Sequence, residues 1–167
     1  MNVRILKPRV LGKLKLTNYL RFFTIGLVSL MLLVACNPLA PLSAKLKTQK
    51  QAWQAEAIGS YELELQRICF CGPELTEVVK LTVSAGEIGA VVYRDTGEAV
   101  AEVNRQYFPD IDGLFGVLED AIVRGAHSIE VSWDENDAFP KEISIDYVEN
   151  AADEELGFNV LSFSPKP

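Results

Sequence analysis

From Tyr61 to Gln66 the chain alternates, with Tyr61, Leu63 and Leu65 set against Glu62, Glu64 and Gln66. That period of two predicts a half-buried strand. Two more strands are predicted at about Val78 to Ser84 and Ile88 to Tyr93, joined by the hairpin signal Ala85-Gly86-Glu87. Upstream, Leu42, Leu46, Trp53 and Ala57 fall near one face of a helix predicted over Ala44 to Ala57. Lys45, Lys47 and Lys50 point to solvent in that helix, and Gly59 stops it.

The second half repeats the order. Asp110 can cap a helix in which Ile111, Leu114, Phe115, Leu118 and Ile122 share one face, with Arg124 in the last turn and Gly125 beyond it. Ile129, Val131 and Trp133 alternate with Glu130 and Ser132, then Ile143, Ile145 and Tyr147 with Glu142, Ser144 and Asp146. A third strand is placed from Phe158 to Phe163, where the alternation is blurred. The pattern predicts an α+β domain: an antiparallel sheet of about six strands with two helices packed on one face. A helix-plus-three-strands unit occurs twice, through duplication or through coincidence of common elements.

The start of the chain has a different character. Arg4, Lys7, Arg9, Lys13, Lys15 and Arg21 precede an apolar run of 14 residues, Phe22 to Ala35, short of the ~20 needed to span a bilayer as a helix. Leu33-Val34-Ala35-Cys36 then reads as a lipoprotein signal, with small residues before an acylated cysteine. Acyl chains on Cys36 contribute ~0.8 kcal/mol per buried methylene, so two or three chains anchor stably. The expected division is a signal peptide over residues 1–35, a lipid-anchored tether over 36–43, with Pro38 and Pro41, and one domain over 44–167. The expected address is the extracytoplasmic side of the cell membrane or outer membrane.

Removing the leader sharpens the charge. The chain has 16 basic and 23 acidic residues, and residues 1–35 hold 6 of the basic ones and none of the acidic ones, so the remainder carries 10 − 23 = −13. Such a surface repels phosphate backbones, which argues against nucleic acid as a partner.

Cys69-Phe70-Cys71 is the chemically unusual element. In an unbroken strand Arg67, Cys69 and Cys71 would share the buried face with Leu63 and Leu65, leaving Ile68 and Phe70 outside. An inward Arg with an outward Ile and Phe is unfavourable, so a bulge or break is expected near Gln66 or Arg67, before the turn at Gly72-Pro73. Two extended residues span roughly 6.6 Å, near the ~6.8 Å limit for a disulfide. A bond would therefore need a contracted backbone. Outside the cytoplasm, with Cys36 acylated, Cys69 and Cys71 are each other's only intrachain partner. Three readings stand: a structural disulfide, unbridged thiols, or a redox or soft-metal site. For a metal, His127 is the only histidine and nothing in the sequence brings it close.

Asp134-Glu135-Asn136-Asp137 resembles the opening of a calcium loop, but Ala138, Phe139 and Ile145 occupy positions where a ligand, the turn glycine and the bidentate Glu belong. A hairpin turn is expected there instead, and Asp153-Glu154-Glu155 reads first as a solvated loop, with a partner-binding surface and a helix-start anionic cluster as alternatives. No nucleophile elbow, zinc helix or phosphate-cradling glycine loop occurs, so no catalytic residue, metal or cofactor is expected.

Trp53, Ser60-Tyr61, Cys69-Phe70-Cys71, Asp95-Thr96-Gly97-Glu98, Asp112-Gly113-Leu114-Phe115, Glu119-Asp120-Ala121-Ile122, Trp133-Asp134, Phe139-Pro140, Ile145-Asp146 and Asp153-Glu154-Glu155-Leu156-Gly157 resemble the bacterial domain of unknown function 6174. The resemblance runs from about Trp53 to Phe163. It implies a small exported or lipid-anchored protein and supplies no catalytic residue. Ala138 stands where that family commonly has glycine, and Leu63 and Leu65 where aromatic residues often recur, which weakens the case for an aromatic ligand face. The expected function is a lipid-anchored, non-enzymatic binding module that takes an envelope protein as partner or a small ligand. The alternative is a thiol redox or soft-metal role at Cys69 and Cys71.

Overall fold

The computed structural model describes residues 39–166; the signal peptide and Cys36 lie outside the described residues. Helix α1 (Ala40–Glu56) begins earlier than the periodicity placed it. Pro41 fits its first turn because the missing N–H belongs to a position with no intrahelical acceptor. Its end is set by Ala57 in the left-handed region at φ 53°, before Gly59 is reached. Lys50 does not stay free in solvent: its Nζ pairs with Glu119 at 2.8 Å.

Three strands follow as an antiparallel meander, β1 (Tyr61–Cys69), β2 (Val79–Ser84) and β3 (Glu87–Tyr93). The β2–β3 turn places Ala85 at φ 51° and Gly86 at φ 79°, the two left-handed residues that match the twist of a tight hairpin. A short α2 (Glu102–Arg105), unforeseen in the sequence, leads to α3 (Ile111–Arg124). Asp110 caps α3 by accepting from the Gly113 N–H at 2.8 Å, and Gly125 closes it at φ 69°. The second meander is β4 (Ser128–Trp133), β5 (Pro140–Asp146) and β6 (Glu155–Pro165).

All six strands form one antiparallel sheet in the order β3-β2-β1-β6-β5-β4. The helix-then-meander order thus recurs, with the two meanders side by side and β1 paired to β6. The last strand in sequence is therefore central in space. Its alternation is blurred because its register against β1 shifts between Glu64 and Leu65, from Ser162 to Val160. Leu161 is the extra residue, and past it the inward side chains change parity from Phe158 and Val160 to Phe163.

The core lies between the helices and one face of the sheet. Leu46 and Trp53 from α1 and Leu114, Phe115 and Leu118 from α3 pack with Leu63, Leu65, Leu81, Ile143 and Ile145. The Trp53 ring meets Tyr61, Phe139 and Phe163 edge-on at 5.7–6.1 Å between centroids. Because burial of apolar surface is the dominant favourable term, this one-sided coverage leaves the outer face of the sheet open. Among the described residues no helix is long and apolar enough to cross a membrane.

Candidate functional site

Strand β1 runs unbroken to Cys69, so the bulge expected near Gln66 or Arg67 is not in this strand. The register shift falls between Glu64 and Leu65, and its extra residue belongs to β6. The arrangement judged unfavourable from the sequence is the one that forms. Arg67 lies on the helix side of the sheet and Ile68 and Phe70 on the open side, 49% and 82% exposed.

Two local features make it acceptable. On the inner side, the Arg67 guanidinium rests over the Tyr107 ring, 5.1 Å from its centroid, a cation–π contact. Partial burial draws its pKa below the ordinary arginine value, opposed by the charge interaction with Tyr107. On the outer side, Ile68 lies opposite Gly157 of β6. A Cβ at Gly157 would stand 3.3 Å from the Ile68 Cβ and 2.9 Å from the Ile143 carbonyl oxygen. The glycine is the space into which Ile68 settles.

The strand registers extend this into a surface. Reading across β4, β5, β6 and β1, Glu130, Ser144, Gly157 and Ile68 form one row of outward positions, and Ser132, Glu142, Asn159 and Gln66 the next. Small residues in the middle of the first row make a floor between taller neighbours. The result is a depression of about 630 Å³ whose lining includes Ile68 and Phe70, at and just past the end of β1, and Glu130, Glu142 and Glu155 on β4, β5 and β6. Sequence reasoning missed it by assigning Ile68 and Phe70 inward. The parity of β1 and a glycine inside a strand were the signals that could have found it.

At the rim of this depression Cys69 and Cys71 come together, with Cα atoms 5.3 Å apart and sulfurs at bonding distance. The backbone is contracted relative to the roughly 6.6 Å of two extended residues, as a bridge requires. The Arg67 Nη1 donates to the Cys71 Sγ at 3.6 Å. Phe70, between the two, is thereby held outward ahead of the turn at Pro73–Leu75.

The other sequence candidates stay apart from this place. Asp134 accepts from the Asn136 and Asp137 N–H groups at 2.9 and 3.1 Å, closing the β4–β5 hairpin with Ala138 at φ 60°. It is a turn, as expected, with the side-chain oxygen used locally. Asp153, Glu154 and Glu155 are exposed, and His127 is exposed just before β4. Among the described residues no three His, Cys, Asp or Glu side chains gather as metal ligands, so the soft-metal reading has no ligand set there.

Charge is distributed unevenly over the open face. In the first meander Glu62 pairs with Lys80 at 3.0 Å and Lys166 at 3.5 Å, and Glu64 with Arg94 at 4.0 Å. The hydrogen bond from Lys80 leads in holding the Glu62 carboxyl below its usual value. None of the ion pairs among the described residues involves Glu130, Glu142, Asp146 or Glu155.

Residues 45–165 match the family model described as "Family of unknown function (DUF6174)". No curated protein and no solved structure matches the chain.

Proposed function

We propose that this chain, which belongs to the family of unknown function DUF6174, is a lipid-anchored binding module of the cell envelope that captures a partner protein on the open face of its sheet. One observation carries the reading: Phe70 and Ile68 stand exposed at the edge of the depression over Gly157, on a face that no helix of the described residues covers. Large apolar side chains in a concave surface with polar neighbours are what a protein interface uses. The anchoring half rests on the signal ending at Cys36 and on the charge of −13 left after it.

Each half has its own test. A Cys36→Ala chain is expected to accumulate as unprocessed precursor or to appear in the soluble fraction; firm membrane retention of a processed form would show that Cys36 is not the anchor. For binding, a photo-reactive residue is placed at Phe70 in intact cells, with Val123, 84% exposed on α3, as the control position. A discrete adduct from position 70 and none from position 123 is expected. Equal labelling from both positions, or no adduct at all, removes the binding reading.

A second reading is favoured by the Arg67–Cys71 contact. The two sulfurs form a disulfide, and a partner thiolate attacking the Cys69 sulfur releases Cys71 as a thiolate beside a guanidinium, the environment that stabilises a leaving thiolate. A second partner thiolate then frees Cys69 by taking its place in a partner disulfide. Replacing both cysteines with Ser and finding unchanged stability and cellular phenotype excludes that role.

A further inference from the structure

Resting on the reading of the open face as a binding surface, we infer that its occupant is an extended basic segment of another protein, in which Lys or Arg adjoins an apolar side chain. The apolar side chain seats against Ile68 and Phe70 over the Gly157 floor, and the cations face Glu130, Glu142 and Glu155.

The charge pattern selects this occupant. In the first meander the outward carboxylates of Glu62 and Glu64 are met by Lys80, Lys166 and Arg94. In the second, Glu130, Glu142, Asp146 and Glu155 share the outer face with Ser128, Ser132 and Ser144 and form no ion pair among the described residues. Lys141, next to Glu142 in sequence, is the extra residue of the β4–β5 bulge and lines a separate depression with Asp134 and Phe139. A wholly apolar partner would cover these carboxylates without pairing them, which costs free energy. An anionic partner, or a second copy of a domain carrying −13, meets like charge. A basic and apolar segment satisfies the apolar and the acidic parts of the depression at once.

The site dimensions agree with a chain rather than a small molecule. The depression is wide and open, formed by four adjacent strands, with its apolar side chains at the end of β1 and its carboxylates spread over β4, β5 and β6. Enclosed ligand pockets bury most of their occupant; this surface receives one side of an extended backbone.

The test uses the full chain in an uncharged detergent and three Ser-rich peptides, one with a Lys-Leu-Lys motif, one with Leu replaced by Ser, and one with both Lys replaced by Glu. Binding is read by fluorescence anisotropy at low salt. The Lys-Leu-Lys peptide is expected to bind best, about fivefold weaker when Glu130→Gln and Glu142→Gln are combined and about tenfold weaker in Phe70→Ala. A Glu56→Gln/Glu98→Gln pair, equal in charge but away from the depression, is expected to leave binding unchanged. Equal weakening by that control pair reduces the effect to net charge and overturns the inference, as does absence of preference among the three peptides. Self-association that Phe70→Ala abolishes identifies a second copy as occupant and also overturns it. If Phe70 still cross-links in cells while the peptides are not distinguished, the basic partner is wrong and the binding surface stands. If both fail, both readings fall.

Discussion

Tyr61→Phe removes a single oxygen from the centre of the fold. The Tyr61 ring is 2% exposed and packs against Trp53 and Phe163. Its hydroxyl oxygen accepts the Ile111 N–H at 3.1 Å. Ile111 is the first residue of α3, where the helix offers that N–H no acceptor of its own, and its side chain is fully buried. Phe keeps the ring contacts and leaves the donor orphaned, at a cost of roughly 2 kcal/mol. For a domain of this size that corresponds to a fall in Tm of about 5–10 °C. The pH dependence provides a second, independent signature. Burial pushes the Tyr61 phenol well above its ordinary value, with Asp110 and Asp112 adding to the rise against the Ile111 hydrogen bond. Above pH of about 10 the unfolded chain releases this proton while the folded chain retains it, so the folded state binds more protons and wild-type stability falls as pH rises. The Phe variant lacks that loss. Urea unfolding at pH 8 and pH 11 is expected to show a deficit of about 2 kcal/mol that shrinks at the higher pH. Tyr93 and Tyr147, whose phenols are also raised by burial, act alike in both proteins. No deficit at pH 8, or a deficit constant to pH 11, refutes the assignment of this hydroxyl as the acceptor for α3.

Three further outcomes are expected. Leu118→Ala, at a fully buried position on α3, costs about 2–5 kcal/mol in urea unfolding; a loss under about 1 kcal/mol would mean that α3 is not packed on the sheet as described. Ala57→Gly relieves a left-handed residue at φ 53° and raises stability by roughly 0.5–1 kcal/mol after the greater freedom of unfolded Gly is subtracted. Thermal melts that show no gain contradict the α1 cap. Asp110→Asn keeps the oxygen that accepts from Gly113 while removing a carboxylate whose pKa burial raises. Because the raised carboxyl stabilises the fold below about pH 4 and loses that contribution as pH climbs, the variant is expected to be at least as stable as wild type at pH 7. A deficit at pH 7 that is absent at pH 3 would reverse the sign and reject the argument.

How much of this was legible depends on the range over which each interaction acts. The α3 cap at Asp110 and its stop at Gly125 were readable because both are satisfied within one turn of the helix. The β2–β3 hairpin and the Asp134 turn were readable for the same reason. The resemblance carried by Cys69-Phe70-Cys71 and the later Phe139-Pro140 and Ile145-Asp146 steps was sound, since the family match covers residues 45–165. The candidate site was misread at one step. Ile68 and Phe70 were turned inward on the rule that apolar side chains are buried, a rule that holds only in one direction.

Alternation along the chain determined which residues of each strand share a face, and the helical spacing determined the apolar side of α3. These are periodicities of the backbone itself, interrupted only where a strand carries an extra residue, as at Leu161 in β6 and Lys141 in β5. The tertiary structure alone decided that the two meanders join through β1 and β6, that Gly157 lies under Ile68, and that the second meander's outward carboxylates form no ion pair among the described residues. Those depend on register between segments about ninety residues apart, such as Ile68 and Gly157. Pairing at that separation is set by the packing of the whole core, so local pattern carries no record of it.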